Sequence, residues 1–537
     1  MADEALLALR GRVVTMDDDD TVFDHGVVYI RGTHIATVAD EGDTPPAGFE
    51  GVRARNVGGT IYPGLIDLHN HLSYDALPMW RVPDRYGNRD QWARHPDYRR
   101  LISGPMNVLG KTRGYPEAIA RYAECKSLLG GVTTSQGIAL FSNAGIRRYY
   151  NGLLRNVEIS GGPDLPAADA RIGDIEAEDA GRFLAHLQRC SCLLLHLSEG
   201  RDDRAHTHFR ALTLDDGTVA ITDALAGIHC VALKREDFEL MAAHGASMVW
   251  SPLSNLLLYG QTADIAAAKA AGLTIGLGSD WSPSGSKNLL GELKAAHACN
   301  RAAGEPFSAR DIVAMATRNA AKLLKWEQGV GSLQAGRRAD LVVVRSKVRD
   351  PYMQLIRADE TRIGLVMIDG VRRYGLRSLM PDDRGLEKWS LCSRPRRFDL
   401  RGTDLDPLSA QLTLAQTTAR LKRGLKRLKQ LAHDLEHPRT SARGDADAQP
   451  QWFLELEQDE PPGVSLRTRF LDSAAAPVKV SAMPVMRAAP LSELLGPVTL
   501  DPLTVVQDSG FVDRLAQQAN IPAPVMAELR ELYGWSV

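Results

Sequence analysis

The stretch Pro63-Gly64-Leu65-Ile66-Asp67-Leu68-His69-Asn70-His71 constrains this chain more than any other. Its apolar, branched run is too short for a helix and follows a Pro-Gly break, which predicts a buried parallel strand with histidines at its C-terminal end. Side chains at i and i+2 of a strand point to the same side, so His69 and His71 can converge on one ion. A His-x-His pair alone is a weak signal, since most such histidines lie at surfaces or in cores. Position adds weight, because in a (β/α)8 barrel the catalytic groups stand at the C-terminal ends of the strands.

Strand-like runs then alternate with helical patterns, which predicts a parallel sheet with helical crossovers. The candidate strands are 61–69, 131–136, 153–159, 192–197, 227–232, 246–250 and 273–278, with 170–175 the weakest of the set. Three of them also end in metal-type residues. Leu193-Leu194-Leu195-His196-Leu197-Ser198-Glu199 runs into His and then Glu, Ile228-His229-Cys230 carries another His, and Ile275-Gly276-Leu277-Gly278-Ser279-Asp280 ends in Asp. Endings of this kind on successive barrel strands converge on one mouth, and nitrogen plus carboxylate ligation suits zinc, iron or manganese. His206 and His208 lie in a charged stretch that reads as a solvated loop.

At 537 residues the chain exceeds one ordinary domain. Its 64 basic and 66 acidic residues leave a net charge of −2, which gives no global pull towards nucleic acid or an anionic membrane. The start, Met1-Ala2-Asp3-Glu4-Ala5, lacks a basic n-region with an apolar core, and no run approaches the ~20 apolar residues of a membrane span. The 6 cysteines follow no zinc-finger or disulfide-scaffold spacing, as expected for reduced thiols in a cytoplasmic protein.

Short β-rich pieces fill residues 6–59, and matching ones return in 331–344 and 365–370. Neither flank has enough apolar area to stand alone, which predicts one β-sandwich built from both. The expected architecture is α/β: a sandwich from 1–59 and 328–375, a metal-binding (β/α)8 barrel over 60–327, and a C-terminal extension over 376–537. The long segment 72–114, rich in Tyr74, Trp80, Tyr86 and Trp92, reads as a loop covering the substrate.

With these motifs in place, the chain resembles the amidohydrolase superfamily over about residues 6–375, nearest the branch of cytosine, guanine and S-adenosylhomocysteine deaminases and triazine hydrolases. The resemblance rests on Pro-Gly-x-Ile-Asp-x-His-x-His, the His196-Leu197-Ser198-Glu199 box, His229, Ser279-Asp280, Ala316-Thr317-Arg318-Asn319-Ala320-Ala321 and the return Gly331-Ser332-Leu333. It implies a hydrolase of a non-peptide C–N bond in a small molecule, with no nucleic-acid or membrane partner; homo-oligomerisation stays open. His69, His71, His196 and Asp280 would hold one divalent transition metal, Zn2+ first, with Fe2+ or Mn2+ as alternatives. His229 is a fifth ligand or a hydrogen-bond partner of substrate and water. The fourth strand has no lysine to bridge a second metal. Asp280, Glu199 and His229 are the catalytic candidates, Asp280 accepting a proton from water and Glu199 carrying one to the leaving nitrogen. Trp80, Trp250 and Asn255 are the substrate-binding candidates. Trp250 stands before Ser251-Pro252-Leu253-Ser254-Asn255 where deaminases of this branch commonly carry His, so it either stacks on substrate or packs inside the barrel. The alternative function is a catalytically silent scaffold on the same fold.

Beyond residue 376, Leu421, Leu425, Leu428 and Leu435 recur at helical spacing among six basic residues, which predicts a helix laid against its own protein. Residues 452–456 and 464–470 read as a hairpin around Pro461-Pro462-Gly463, and the whole extension is expected to be dispensable for chemistry.

Overall fold

The computed structural model of the protein describes residues 5–171, 180–402, 406–409, 412–438, 451–456 and 489–534. Parallel strands carry the histidines. Leu65–Asp67, Val132–Ser135 and Arg155–Asn156 form one parallel sheet; Asp169–Arg171, Leu193–Leu197, Leu225–His229, Ser247–Trp250 and Thr274–Leu277 form another, in chain order. Backbone hydrogen bonds stitch the two together on both sides: Leu68 N donates to Leu277 O (3.1 Å), and Ala168 N donates to Val157 O (2.8 Å). Leu193–Leu197, Leu225–His229, Ser247–Trp250 and Thr274–Leu277 are largely apolar because both faces are covered, whereas Val132–Ser135 and Arg155–Asn156 bury polar side chains. Leu194, Ala226, Ile228 and Val249 meet Ile66 and Trp326 in one cluster, while Leu193, Leu195 and Leu197 belong to the larger core.

The run 61–69 is not one strand. Arg55–Pro63 pairs with Leu341–Val344 in a nine-stranded sheet, and only Leu65–Asp67 enters the parallel sheet. The switch falls at Gly64, where a Cβ would sit 2.3 Å from Thr133 Oγ1, so only glycine lets the chain cross so close to its neighbour. The nine-stranded sheet joins both flanks of the chain, since Leu6–Val14 runs parallel to Arg55–Pro63, and it continues past residue 375 through Arg394–Phe398 to Glu387–Leu391. The weakest strand candidate appears as Asp169–Arg171; residues 172–175 of it lie outside the described residues.

Three other expectations change. His206 and His208 sit on the helix Asp203–Arg210, capped by Asp202, and His206 Nε2 lies 2.7 Å from Asp237 Oδ2. Trp452–Leu454 pairs with Ala139–Ser142, a strand far upstream in the chain, and its expected partner 464–470 lies outside the described residues. The extension is woven into the rest of the protein. The leucines of Leu414–Lys426 and Leu428–Glu436 are buried against it as expected, except the exposed Leu435, and Asp501 is wholly buried. Among the described residues no helix is long and apolar enough to cross a membrane.

Candidate metal centre and active site

Five donors from four strand ends face one another. The ligand atoms of His69, His196 and His229 lie within 4.8 Å of one another, as do those of His69, His71 and Asp280, so His69 is common to both groups. Asp280 Oδ1 lies 3.3 Å from Nε2 of both His69 and His71. The His69 ring centroid is 4.6 Å from that of His196 and 5.1 Å from that of His229. His69 Nε2 is buried with no well-formed hydrogen bond, its polar neighbour being Asp280 Oδ1.

The backbone brings these side chains in by local strain. His229 (φ 69°) and Asp280 (φ 63°) are left-handed, an uncommon state for residues with a Cβ, as is Ser198 (φ 51°) beside Glu199. Asp280 N donates to His69 O (2.8 Å) and His71 N donates to Asp280 O (2.7 Å), which locks the first strand end to the last. Asp67 sits beneath, accepting from Ser279 N (2.9 Å) and Asn70 Nδ2 (3.2 Å).

Outer partners orient the ligand rings. Gln136 Oε1 lies 3.2 Å from His69 Nδ1 and also accepts from Asn70 N. Asn255 Oδ1 lies 2.8 Å from His229 Nδ1, which puts the proton there and turns the Nε2 lone pair inwards. Asn255 is itself held, since its Nδ2 donates to Thr262 Oγ1 (3.2 Å), which also accepts from Trp250 Nε1 (2.6 Å). Burial, reinforced by His69 and Arg89, holds the His196 imidazole well below its usual pKa and hence neutral. Burial pushes the Asp280 carboxyl up, but His69, His71 and His229 together outweigh it and keep Asp280 ionised. A neutral imidazole at His196 and an ionised carboxylate at Asp280 are protonation states in which each can ligate a divalent cation.

Glu199 lies 3.9 Å from His229 Nε2 and is clamped on both oxygens. Tyr259 OH donates to Oε1 (2.8 Å), Arg89 Nη1 donates to Oε2 (3.1 Å), and Trp92 Nε1 in turn donates to Tyr259 OH (2.8 Å). Arg89 and Trp92 come from the helix Arg89–Ala93 within the long segment after the first strand. That segment meets the end of Leu193–Leu197 at Gly200, whose Cβ would stand 2.5 Å from Gly87 O.

A small enclosed cavity is lined by His71, His196, His229, Glu199 and Asp280 together with Arg89, Trp92, Tyr98, Leu258 and Trp281. Trp80 and Trp250 do not line it. Trp80 is buried and its carbonyl accepts from Gln518 Nε2 (2.8 Å), and the wholly buried Trp250 spends its N–H on Thr262. Trp250 packs in the core, and Asn255 reaches the centre only through His229. Sequence reasoning missed Arg89, Tyr98, Tyr259 and Trp281. Two of these had signals: Trp281 follows Asp280, and Tyr259 stands one turn after Asn255 on the helix Pro252–Tyr259.

Residues 195–372 match the sequence model of the amidohydrolase family. A 5-methylthioadenosine/S-adenosylhomocysteine deaminase of Syntrophobacter fumaroxidans is 25% identical over 388 residues, covering 65% of this chain and 86% of that relative. Among solved structures, atrazine chlorohydrolase from Arthrobacter aurescens TC1 complexed with zinc superposes with TM-score 0.54 at 21% identity, over 78% of this chain and 99% of its own. An adenosine deaminase from Xanthomonas campestris with bound zinc gives TM-score 0.52 at 16% identity, over 79% and 98%. At these identities the structural likeness is one of fold. The strand-end motifs and the matched segment agree, and the chain carries an amidohydrolase family domain over residues 195–372.

Proposed function

We propose that this protein is a metal-dependent hydrolase of a non-peptide C–N bond, and that its parallel strands close into a (β/α)8 barrel with the metal at the C-terminal mouth. The proposed domains are that barrel, the nine-stranded sheet built from both flanks, and the C-terminal extension. The observation that carries the reading is the pair of overlapping donor groups, His69 with His196 and His229, and His69 with His71 and Asp280, each within 4.8 Å. The donor set, imidazole nitrogen with one carboxylate, fits one divalent transition metal, zinc before iron or manganese.

When bound, such a cation supplies Lewis acidity that lowers the pKa of a coordinated water. The chain's own residues do the rest. His69, His71, His196 and Asp280 hold the cation, and His229, its tautomer set by Asn255, directs Nε2 towards water or substrate. Asp280, ionised and buried, accepts a proton at its carboxylate. Glu199 carries a proton to the leaving nitrogen, and the Arg89 and Tyr259 hydrogen bonds fix its carboxylate for that transfer. The cavity is about 10 Å³, room for one water. A ring substrate therefore requires Trp92, Tyr98, Trp281 and Leu258 to part, and their flat and apolar side chains would then favour an aminated heterocycle. The relative named as a deaminase points the same way.

The test is metal analysis of purified protein beside a screen of aminated purines, pyrimidines, triazines and simple amides for ammonia or amine release. About one equivalent of metal with release from a ring substrate supports the reading. Protein that stays metal-free after supplementation, and inert on the whole panel, overturns it in favour of a silent scaffold.

A further inference from the structure

A second cavity, sharing no lining residue with the histidine site, opens in the nine-stranded sheet, with a volume of about 920 Å³. That lies within the ~300–1,000 Å³ of small-molecule pockets. Its lining carries six cationic side chains, Arg55, Arg345, Lys347, Arg362, Arg377 and Arg394, and one carboxylate, Asp382. Asp382 is already engaged by Arg397 (2.9 Å). None of the six cations forms an ion pair with a described residue. In a chain with 64 basic and 66 acidic residues this is a local segregation of charge; all six side chains are exposed, so water screens their repulsion and leaves them open to an anion.

The fold builds the cluster from separate segments. Arg55 and Arg394 open the strands Arg55–Pro63 and Arg394–Phe398, Arg377 follows Val371–Leu376, and Arg345 follows Leu341–Val344. Two guanidinium groups are pinned by backbone carbonyls, Arg55 Nη1 to Ser378 O (3.3 Å) and Arg345 Nε to Gly58 O (3.1 Å). Gly58 (φ 61°) makes the second possible, since a Cβ there would lie 3.0 Å from Arg345 Nη2. The lining also holds two apolar side chains, Leu376 and Met380, both largely buried in the core cluster of the sheet. Preset guanidinium groups match phosphate oxygens, and apolar side chains among cationic ones match a ligand with an uncharged body.

We propose that this cavity binds a small phosphorylated molecule with a flat or apolar body, its phosphates on the arginine rim and its body over Leu376 and Met380. The assignment does not depend on the metal site.

The full-length protein is titrated calorimetrically with ATP, inorganic tripolyphosphate and a short single-stranded oligonucleotide, at low and at physiological salt. The expected result is saturable ATP binding, tighter than tripolyphosphate and weakened by salt. In Arg377→Glu/Arg394→Glu it should weaken at least tenfold at an unchanged melting temperature. If that pair lowers the melting temperature, Lys347→Glu/Arg362→Glu serves in its place. The assignment is overturned by absence of ATP binding, or by binding that survives both variants. Equal affinity for tripolyphosphate would reduce the cavity to a general polyanion trap. An oligonucleotide that outcompetes ATP would make it a nucleic-acid surface instead.

Discussion

The ammonium of Lys126 and the carboxylate of Asp501 lie 2.6 Å apart in the interior, joining positions 375 residues apart in the chain. Lys126 sits on the long helix Tyr115–Leu129 before the second parallel strand and also donates to Asp75 O and Ser282 Oγ, which follow His71 and Asp280 at the ends of the first and last strands. Asp501 binds Lys287 as well (2.6 Å), and Lys287 binds Asp508 (2.9 Å). Nearby, Gln518 and Asn520 hold the carbonyls of Trp80 and Asp84. The extension therefore touches the very segment that delivers Arg89 and Trp92, and we predict that it is needed for a folded, active protein.

Asp501→Asn should destabilise the protein by about 3–5 kcal/mol, because it leaves the buried Lys126 ammonium without its paired carboxylate and Lys287 with Asp508 alone. Denaturant unfolding measures it. A chain ending near Arg377 should be insoluble or inactive, and a soluble, active one would remove the buttress.

His69→Ala and His196→Ala should each lose both metal and turnover, since each deletes a proposed ligand. Metal content after dialysis is the readout. Retained metal in either variant would remove that histidine from the ligand set.

Glu199→Gln should keep the metal and lose roughly 10²- to 10⁴-fold in kcat, the usual worth of positioned proton transfer. Tyr259→Phe should lose less, because Arg89 still holds the other carboxylate oxygen. Loss of metal in the Gln variant would make Glu199 a ligand instead.

Glu292 provides a pH test of stability. Burial raises its carboxyl from 4.5 to about 8, against hydrogen bonds from Ser286 and Leu253 N that pull it down. The folded state therefore holds a proton that the unfolded state releases. Its contribution is full below pH 4.5 and is lost as pH rises through about 8. Glu292→Gln should flatten the fall in melting temperature across that window, and an unchanged slope would refute the assignment.

Trp250→Ala should cost about 3–5 kcal/mol, the usual price of deleting a buried aromatic. Melting temperature beside KM decides its role: a collapsed melt is expected, whereas an unchanged melt with raised KM would return Trp250 to substrate contact.

Much of the centre was legible in the sequence. His69, His71, His196, His229 and Asp280 each end an apolar run, and strand periodicity with the barrel rule is enough to bring such endings together. The parallel strands were legible for the same reason, since strands buried on both faces read as unbroken apolar segments such as Leu193-Leu194-Leu195. The sequence could not decide which aromatic faces the cavity. Trp92 and Trp80 stand in one loop-like stretch with similar neighbours, and only the helix Arg89–Ala93 and its contact with Gly200 turn Trp92 inwards. Nor could it show that Trp250 is spent on Thr262, or that Asp501 returns to Lys126. Those are pairings between distant segments, set by how helices and loops pack after the strands have formed. Local periodicity reports which face of an element is buried, and tertiary packing alone decides what that face meets.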